Sequence, residues 1–272
     1  MRRRSRLRWG IRYLAVSAVG MLSAIAVSCT RVSSMSPSSL DVYDGFESTR
    51  LSEIWDTIGF VPGAVTMQSE IVRAGNGAVK IVLHPHDQFE AGINGDADSE
   101  RAELKEAQRF WSRENATYEQ SFSMFIPTGF PIVTSRLVIA QWRQACPNGG
   151  KCENDLPLLC IRYASGILRI NQVAPIRKHL FETKEELRGK WLDFKFQTRF
   201  SSGAGGKIRA WLNGRQVVDY SGANAYPENS ITGYSSPSQF YFRMGLYRDV
   251  MVEPMTIYID EYRKKQLPDE KD

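Results

Sequence analysis

The sequence predicts an all-β protein, a two-sheet sandwich or jelly roll. Three observations lead there. Almost every patterned segment alternates with period two, the mark of strands half buried in a sheet. Turn signals recur at short intervals, among them Asn213-Gly214 between two alternating runs, a strong two-residue hairpin signal. Helical signals are few: Glu182 to Arg188 offers one or two turns, and Ser52 to Thr57 one more.

In chain order, Val79, Ile81 and Leu83 alternate with Lys80, Val82 and His84. Phe122, Met124 and Ile126 alternate with Ser121, Ser123 and Phe125. Leu192, Phe194, Phe196, Thr198 and Phe200 alternate with Trp191, Asp193, Lys195, Gln197 and Arg199. Ile208, Ala210 and Leu212 lead into the hairpin, and Arg215 to Tyr220 returns from it. Ile257 and Ile259 alternate with Tyr258, Asp260 and Tyr262. No repeat or interdomain linker interrupts this pattern, so residues 41–265 read as one domain. The charged tail 266–272 is expected to fray.

Composition agrees with this class. The chain has 272 residues, 42% hydrophobic and 24% charged, which is an ordinary globular mix. Its net charge of +5 raises the question of nucleic-acid binding. The placement of that charge answers it. Arg2, Arg3, Arg4, Arg6, Arg8 and Arg12 precede an apolar run from Tyr13 to Ser28, which is short for a membrane span of ~20 residues. Residues 1–28 read as a secretory signal peptide. Removing them takes those six charges from the 35 Lys+Arg, leaving 29 against 30 acids, or −1. Global charge then gives no support for a nucleic-acid partner.

The export segment ends Ala26-Val27-Ser28-Cys29, which resembles a bacterial lipoprotein processing site with Cys29 as the lipidated residue. Ser/Pro-rich residues 29–40 then read as a tether. The expected location is the outer membrane or periplasm, with the membrane touched only through the lipid. Cleavage after Ala24-Ile25-Ala26, releasing a soluble periplasmic or secreted protein, is the alternative. Cys146 and Cys152 bracket a short loop that a disulfide can close in an oxidising compartment. Cys160 alternates with Leu158 and reads as a buried thiol. The cysteine spacing, with only His84, His86 and His179 as histidines, argues against a zinc site.

Four segments carry chemistry on a non-core phase. In Ser99 to Lys105, Ala102 and Leu104 point one way, and Arg101, Glu103 and Lys105 the other. Taken alone, that segment is equally a solvated face with ion pairs. In Arg136 to Gln144, Val138, Ala140 and Trp142 are expected on one face, and Leu137, Ile139, Gln141 and Arg143 on the other. In Phe240 to Asp249, Tyr241, Arg243, Gly245, Tyr247 and Asp249 oppose an apolar set, and Gly245 leaves a gap that something can approach. The fourth segment is the strand ending at His84, followed by Pro85-His86-Asp87.

Arg, Gln, Tyr and His on one sheet face would suit removal of a proton beside a carboxylate. The C5 proton of a uronic acid leaves an enolate-like dianion that needs Arg, Gln or Asn to neutralise it and Tyr or His to move the proton. There is no nucleophile elbow, P-loop or dinucleotide fingerprint. Paired-carboxylate glycoside hydrolysis would need two acids on one face. Glu100 and Glu103 have opposite phase, and the adjacent Asp260 and Glu261 are expected to split between faces.

These segments resemble the jelly-roll polysaccharide lyases, in particular the group with heparin lyase I and glucuronan lyase, and more distantly alginate lyases. The resemblance runs through Asp44-Gly45-Phe46-Glu47, Ser99-Glu100-Arg101-Ala102-Glu103-Leu104, Ile139-Ala140-Gln141-Trp142 and Gly189-Lys190-Trp191-Leu192-Asp193-Phe194. It continues in Trp211-Leu212-Asn213-Gly214-Arg215 and Tyr241-Phe242-Arg243-Met244-Gly245-Leu246-Tyr247-Arg248. It implies a jelly-roll sandwich of two curved antiparallel, concanavalin-like sheets with an acidic polysaccharide in the concave groove: glucuronan, alginate or a heparin-like chain. It implies cleavage by β-elimination, with Arg101 and Gln141 neutralising the carboxylate. Tyr247 would protonate the glycosidic oxygen, and either His84 or Tyr247 would be the base. Arg143, Arg243 and Lys105 would grip carboxylates or sulfates, with Glu103 and Tyr241 completing the binding set. No organic cofactor is implied, and acidic loops such as Asp96/Asp98 are where a structural calcium would fit.

Two departures stand out. Relatives place His where this chain has Arg143, and Lys where it has Arg243. An arginine cannot serve as a base at neutral pH. The departure leaves a second reading open, a non-catalytic glycan-binding lipoprotein on the same fold.

Overall fold

The computed structural model describes residues 40–56, 60–87, 99–147, 152, 156–229 and 233–268. The expected signal peptide, Cys29, most of the tether, Asp96 and Asp98 lie outside the described residues.

The period-two segments form strands that pair antiparallel in two sheets. The first sheet runs β14 (Arg215–Ser221), β13 (Lys207–Leu212), β12 (Lys190–Arg199), β7 (Thr117–Ile126), β16 (Met255–Gln266), β4 (Ala78–Leu83) and β3 (Val65–Gln68), with β1 (Asp41–Asp44) also paired to β16. The second runs β11 (Lys178–Thr183), β10 (Ile167–Gln172), β9 (Leu159–Ala164), β8 (Leu137–Gln144), β15 (Gln239–Asp249), β5 (Ser99–Glu106) and β2 (Trp55–Asp56), with β6 (Ser112–Arg113) also on β15. The chain crosses between sheets at β1–β2, β2–β3, β4–β5, β6–β7, β7–β8, β11–β12, β14–β15 and β15–β16, a jelly-roll path. Asn213 and Gly214 have φ of 50° and 79°, the positive values that a two-residue hairpin turn requires.

The sheets meet through aromatic side chains. Phe122 of β7 lies 5.4 Å from Phe242 of β15, and Trp142 of β8 lies 4.5 Å from Phe196 of β12. All four are buried, and each contributes about 1.5–3 kcal/mol by leaving water. Inside this apolar layer sits a polar cluster. Lys264 of β16 donates to both carboxylate oxygens of Glu106 at 2.9 Å and to the Phe110 carbonyl at 2.7 Å. Glu106 also accepts from Tyr262, from Gln120 at 2.9 Å and from the Phe242 amide at 3.1 Å. The Trp142 indole then donates to Gln120 at 2.6 Å. Burial pushes Lys264 below the ordinary lysine value and Tyr262 well above the ordinary phenol value.

Neither expected short helix forms. Glu182 and Thr183 stay in β11, paired with Arg169 and Leu168, and the next amides turn onto side chains. Glu185 N donates to Thr183 Oγ1, and Arg188 N to Glu186 Oε1. Such local bonds compete with helix formation. Of the Ser52 to Thr57 stretch, the described residues Ser52 to Asp56 make a turn and then β2. A single 3-10 turn forms at Gln108–Phe110, between β5 and β6.

Two irregularities change which way side chains point. On β8, Ile139 is an extra residue relative to β9, where Val138 pairs with Arg162 and Ala140 with Ile161. The bulge puts Leu137, Ile139, Ala140 and Trp142 all in the core and sends Val138 outward with Gln141. The expected strict alternation along β8 therefore breaks at Ile139. On β16 the register shifts between Asp260 and Arg263, with Glu261 at φ 56°. Tyr262 is thereby turned into the core, while Asp260 and Glu261 both stay on the outer side. The expected split of that acidic pair does not occur.

Candidate active site

The outer face of the second sheet gathers most of the residues singled out from the sequence. Strand pairing sets two rows across it. One row is Lys105, Arg243, Gln141, Cys160, Asn171 and His179, from β5 to β11. The other is Arg101, Tyr247, Val138, Arg162, Arg169 and Glu182. Strands are spaced ~4.8 Å, so each row spans about 24 Å.

The centre of this face is built around Glu103. Its side chain is only 1% exposed, accepts from Gln141 Nε2 at 2.6 Å, and faces Arg101 Nε at 3.4 Å and Arg243 Nη1 at 3.6 Å. Gln141 is fully buried, and its Oε1 lies 3.4 Å from Arg143 Nη1. Glu103 and Gln141 thus form the floor of this face, with Arg101 and Arg243 closing over Glu103. Three neighbours close over the carboxylate because a buried charge is costly unless paired. Arg101 and Arg243 keep 16% and 17% of their side chains exposed and are the cations left facing outward.

Tyr247 stands beside them. Its ring packs under Arg101 Cζ at 4.4 Å and Arg136 Cζ at 4.7 Å from the centroid. Arg136 is held in turn by Asp249 at 2.9 Å. At the other end the Tyr241 ring packs tilted 5.1 Å from Trp111, with Lys105 5.3 Å above Tyr241 and paired to Asp56 at 3.4 Å. These rings form a wall at the β5 edge.

Gly245 has φ of 143°, and a Cβ there would lie 2.2 Å from the Ala102 carbonyl oxygen. The gap expected at Gly245 is therefore filled by the β5 backbone. The close approach is what lets β15 follow β5 through the bulge that it makes against β8.

His84 does not join this cluster. It follows β4 in the first sheet, its side chain is 61% exposed, and its imidazole pairs with Asp87 at 3.3 Å. Strand phase showed that it leaves the core but not which sheet carries it. The turn it opens is nevertheless tied to β5: Arg101 N donates to Asp87 O at 3.1 Å, and His86 N to Glu100 at 2.5 Å. Glu100 points to the opposite side from Glu103 and forms a fully buried pair with Arg248 at 2.7 Å.

Sequence reasoning missed Arg136, Arg162, Arg169 and Asn171. Arg162 and Arg169 face each other across β9 and β10, and Arg162 Nε is buried with no hydrogen bond among the described residues. The polar phase of Leu158 to Gln172 was the available signal, but only the pairing register joins it to Tyr247. Cys160 is buried and free, and burial raises its thiol pKa against the pull of Arg162. Cys146 and Cys152 are joined in a disulfide, with Cα atoms 5.7 Å apart.

The fold is thus an all-β sandwich whose second sheet has a cationic, tyrosine-bearing outer face. The sequence matches the family described as polysaccharide lyase over residues 43–263, and the chain belongs to that family of enzymes. No curated protein matches the sequence. Among solved structures, an endo-β-1,4-glucuronan lyase from the fungus Trichoderma reesei superposes with a TM-score of 0.58 at 19% identity, over 78% of this chain and 91% of that one. The alginate lyase AlgAT5 of polysaccharide lyase family 7 gives 0.52 at 17%, over 76% and 84%. The cellulose induced protein Cip1 gives 0.52 at 15%, over 82% and 96%. At these identities the likeness shows the jelly-roll fold.

Proposed function

We propose that this lyase cleaves a uronate-containing acidic polysaccharide by β-elimination on the outer face of the second sheet. The observation that carries the reading is Arg101 packed 4.4 Å over Tyr247 on a face where Arg243 also remains exposed. Arg101 and Arg243 would neutralise the uronate carboxylate as the C5 proton leaves and negative charge grows on it. Guanidinium groups grip carboxylates in bidentate fashion, and Arg243 in place of the family's Lys strengthens that geometry. Gln141 serves from below, by fixing Glu103 and Arg143.

With Arg143 in the family's His position and His84 on the other sheet, Tyr247 is assigned both proton transfers. It takes the C5 proton and returns one to the departing glycosidic oxygen, which leaves an unsaturated uronate at the new end. Tyr241 is set apart by its packing against Trp111 and belongs to the binding wall. Arg162, Arg169 and Asn171 extend the groove over several sugar units. That length favours a chain bound internally over one held by its end.

The test is ultraviolet absorbance during incubation with glucuronan, alginate, heparin, hyaluronan and pectate. A steady rise on at least one supports the proposal. Binding with no rise on any would return the reading to a non-catalytic glycan-binding protein. We further propose, on sequence grounds, export through residues 1–28 and lipidation of Cys29, with no nucleic-acid partner. Cys29→Ala should move the protein from the membrane to the soluble fraction of a bacterial host, and an unchanged distribution would count against lipidation.

A further inference from the structure

The outer face of the first sheet also carries an ordered set of side chains that the proposed reaction does not use. Strand pairing aligns Trp191 of β12, Phe125 of β7, Tyr258 of β16 and Lys80 of β4 in one row. The Phe125 ring lies 5.7 Å from Trp191 and 6.1 Å from Tyr258. All four side chains are partly exposed. Cross-strand aromatic pairs stabilise sheets on their own, which would account for the three rings. It does not account for the end of the row. There Lys80, which has no ion-pair partner among the described residues, lines a depression of about 300 Å³ with Tyr258 and Thr256. Pro127, Pro131 and Pro254 form its other walls.

We propose that this row is a second glycan-binding surface that holds a further stretch of an acidic polysaccharide. Pyranose rings carry an apolar C–H face that stacks on aromatic rings, and their hydroxyls and carboxylates reach outward from the edge. Four strands at ~4.8 Å spacing give a platform about 14 Å long, enough for more than one ring. Lys80 supplies the counter-charge for a uronate, and Thr256 a hydroxyl. The acidity of the ligand rests on the proposed function, whereas the stacking platform does not.

The test is electrophoresis of the Tyr247→Phe chain through native gels containing glucuronan, alginate or neutral hydroxyethylcellulose. The proposal expects retardation by the acidic glycans, weakened at least about fivefold in apparent affinity by Trp191→Ala and by Lys80→Glu. Lys80→Glu alters only a partly exposed, unpaired cation, so it tests the surface even if Trp191→Ala fails to fold. Unchanged retardation in folded Lys80→Glu protein overturns the proposal, as does equal retardation by hydroxyethylcellulose. The absorbance assay on the unsubstituted chain reports separately. Weakened retardation without any cleavage would sink the lyase reading and leave this surface standing.

Discussion

Lys264→Met should be among the most damaging single substitutions outside the proposed active site. Lys264 is 1% exposed and spends its three donors on the two oxygens of Glu106 and the Phe110 carbonyl. Methionine fills much of the same space but removes the charge, so the packing loss is small. What remains is a fully buried Glu106 carboxylate supported only by neutral donors from Tyr262, Gln120 and the Phe242 amide. Breaking a buried pair from one side costs about 3–5 kcal/mol. At about 2–4 °C per kcal/mol for a domain of this size, the melting temperature should fall by about 6–20 °C. The double variant Glu106→Gln/Lys264→Met should recover part of the loss, because the stranded charge is gone. Thermal and urea unfolding of Lys264→Met, Glu106→Gln and the double variant measure this. A fall of less than about 2 °C for Lys264→Met, or a double variant worse than the sum of the singles, would refute the reasoning.

Gly245→Ala should cost at least about 1–3 kcal/mol from backbone strain, with a further loss from the clash with the Ala102 carbonyl; an unchanged melting curve would contradict the close β5–β15 approach. Glu103→Gln should lower kcat about tenfold without raising KM, because Arg101 and Arg243 lose the charge that orients them but keep their own; a raised KM with intact kcat would make Glu103 a substrate contact instead. Asp193 is held below its ordinary pKa by the Arg73 hydrogen bonds, with Ser123 adding to the effect and burial opposing it. Its ionised form therefore stabilises the fold above about pH 4, and that contribution is lost as pH falls through the lowered value. The pair is well exposed, so Asp193→Asn should cost under about 1 kcal/mol at pH 7 and flatten the acid limb of a stability profile; an unaltered limb would argue against the pair.

The sheet faces of β5 and β15 were legible in the sequence because both strands keep strict alternation. Arg101, Glu103 and Lys105, and Tyr241, Arg243 and Tyr247, land together as the period requires. The face of β8 was half legible. Gln141 and Arg143 keep their phase, but the extra residue at Ile139 reverses Leu137 and Val138, and nothing local in that aliphatic run marks a bulge. Glu261 hides the same device at a non-glycine residue with positive φ. His84 shows a different limit. Alternation tells core from outside within a strand, but which of two sheets receives the strand is decided by pairing far along the chain. The partition of roles within the cluster was equally hidden, since only side-chain packing shows that Glu103 and Gln141 lie beneath Arg101 and Arg243.

The central claim, that Tyr247 moves the proton beside a uronate carboxylate held by Arg101, is tested most directly by one comparison. The initial rate of ultraviolet absorbance rise is measured for the unsubstituted protein and for Tyr247→Phe on the same uronate glycan. Phenylalanine keeps the ring under Arg101 and Arg136 and removes only the hydroxyl. The account predicts a clear rate for the first and a loss of at least about 10²-fold for the second, the range that a positioned acid or base contributes. A Tyr247→Phe protein that retains the full rate would contradict it.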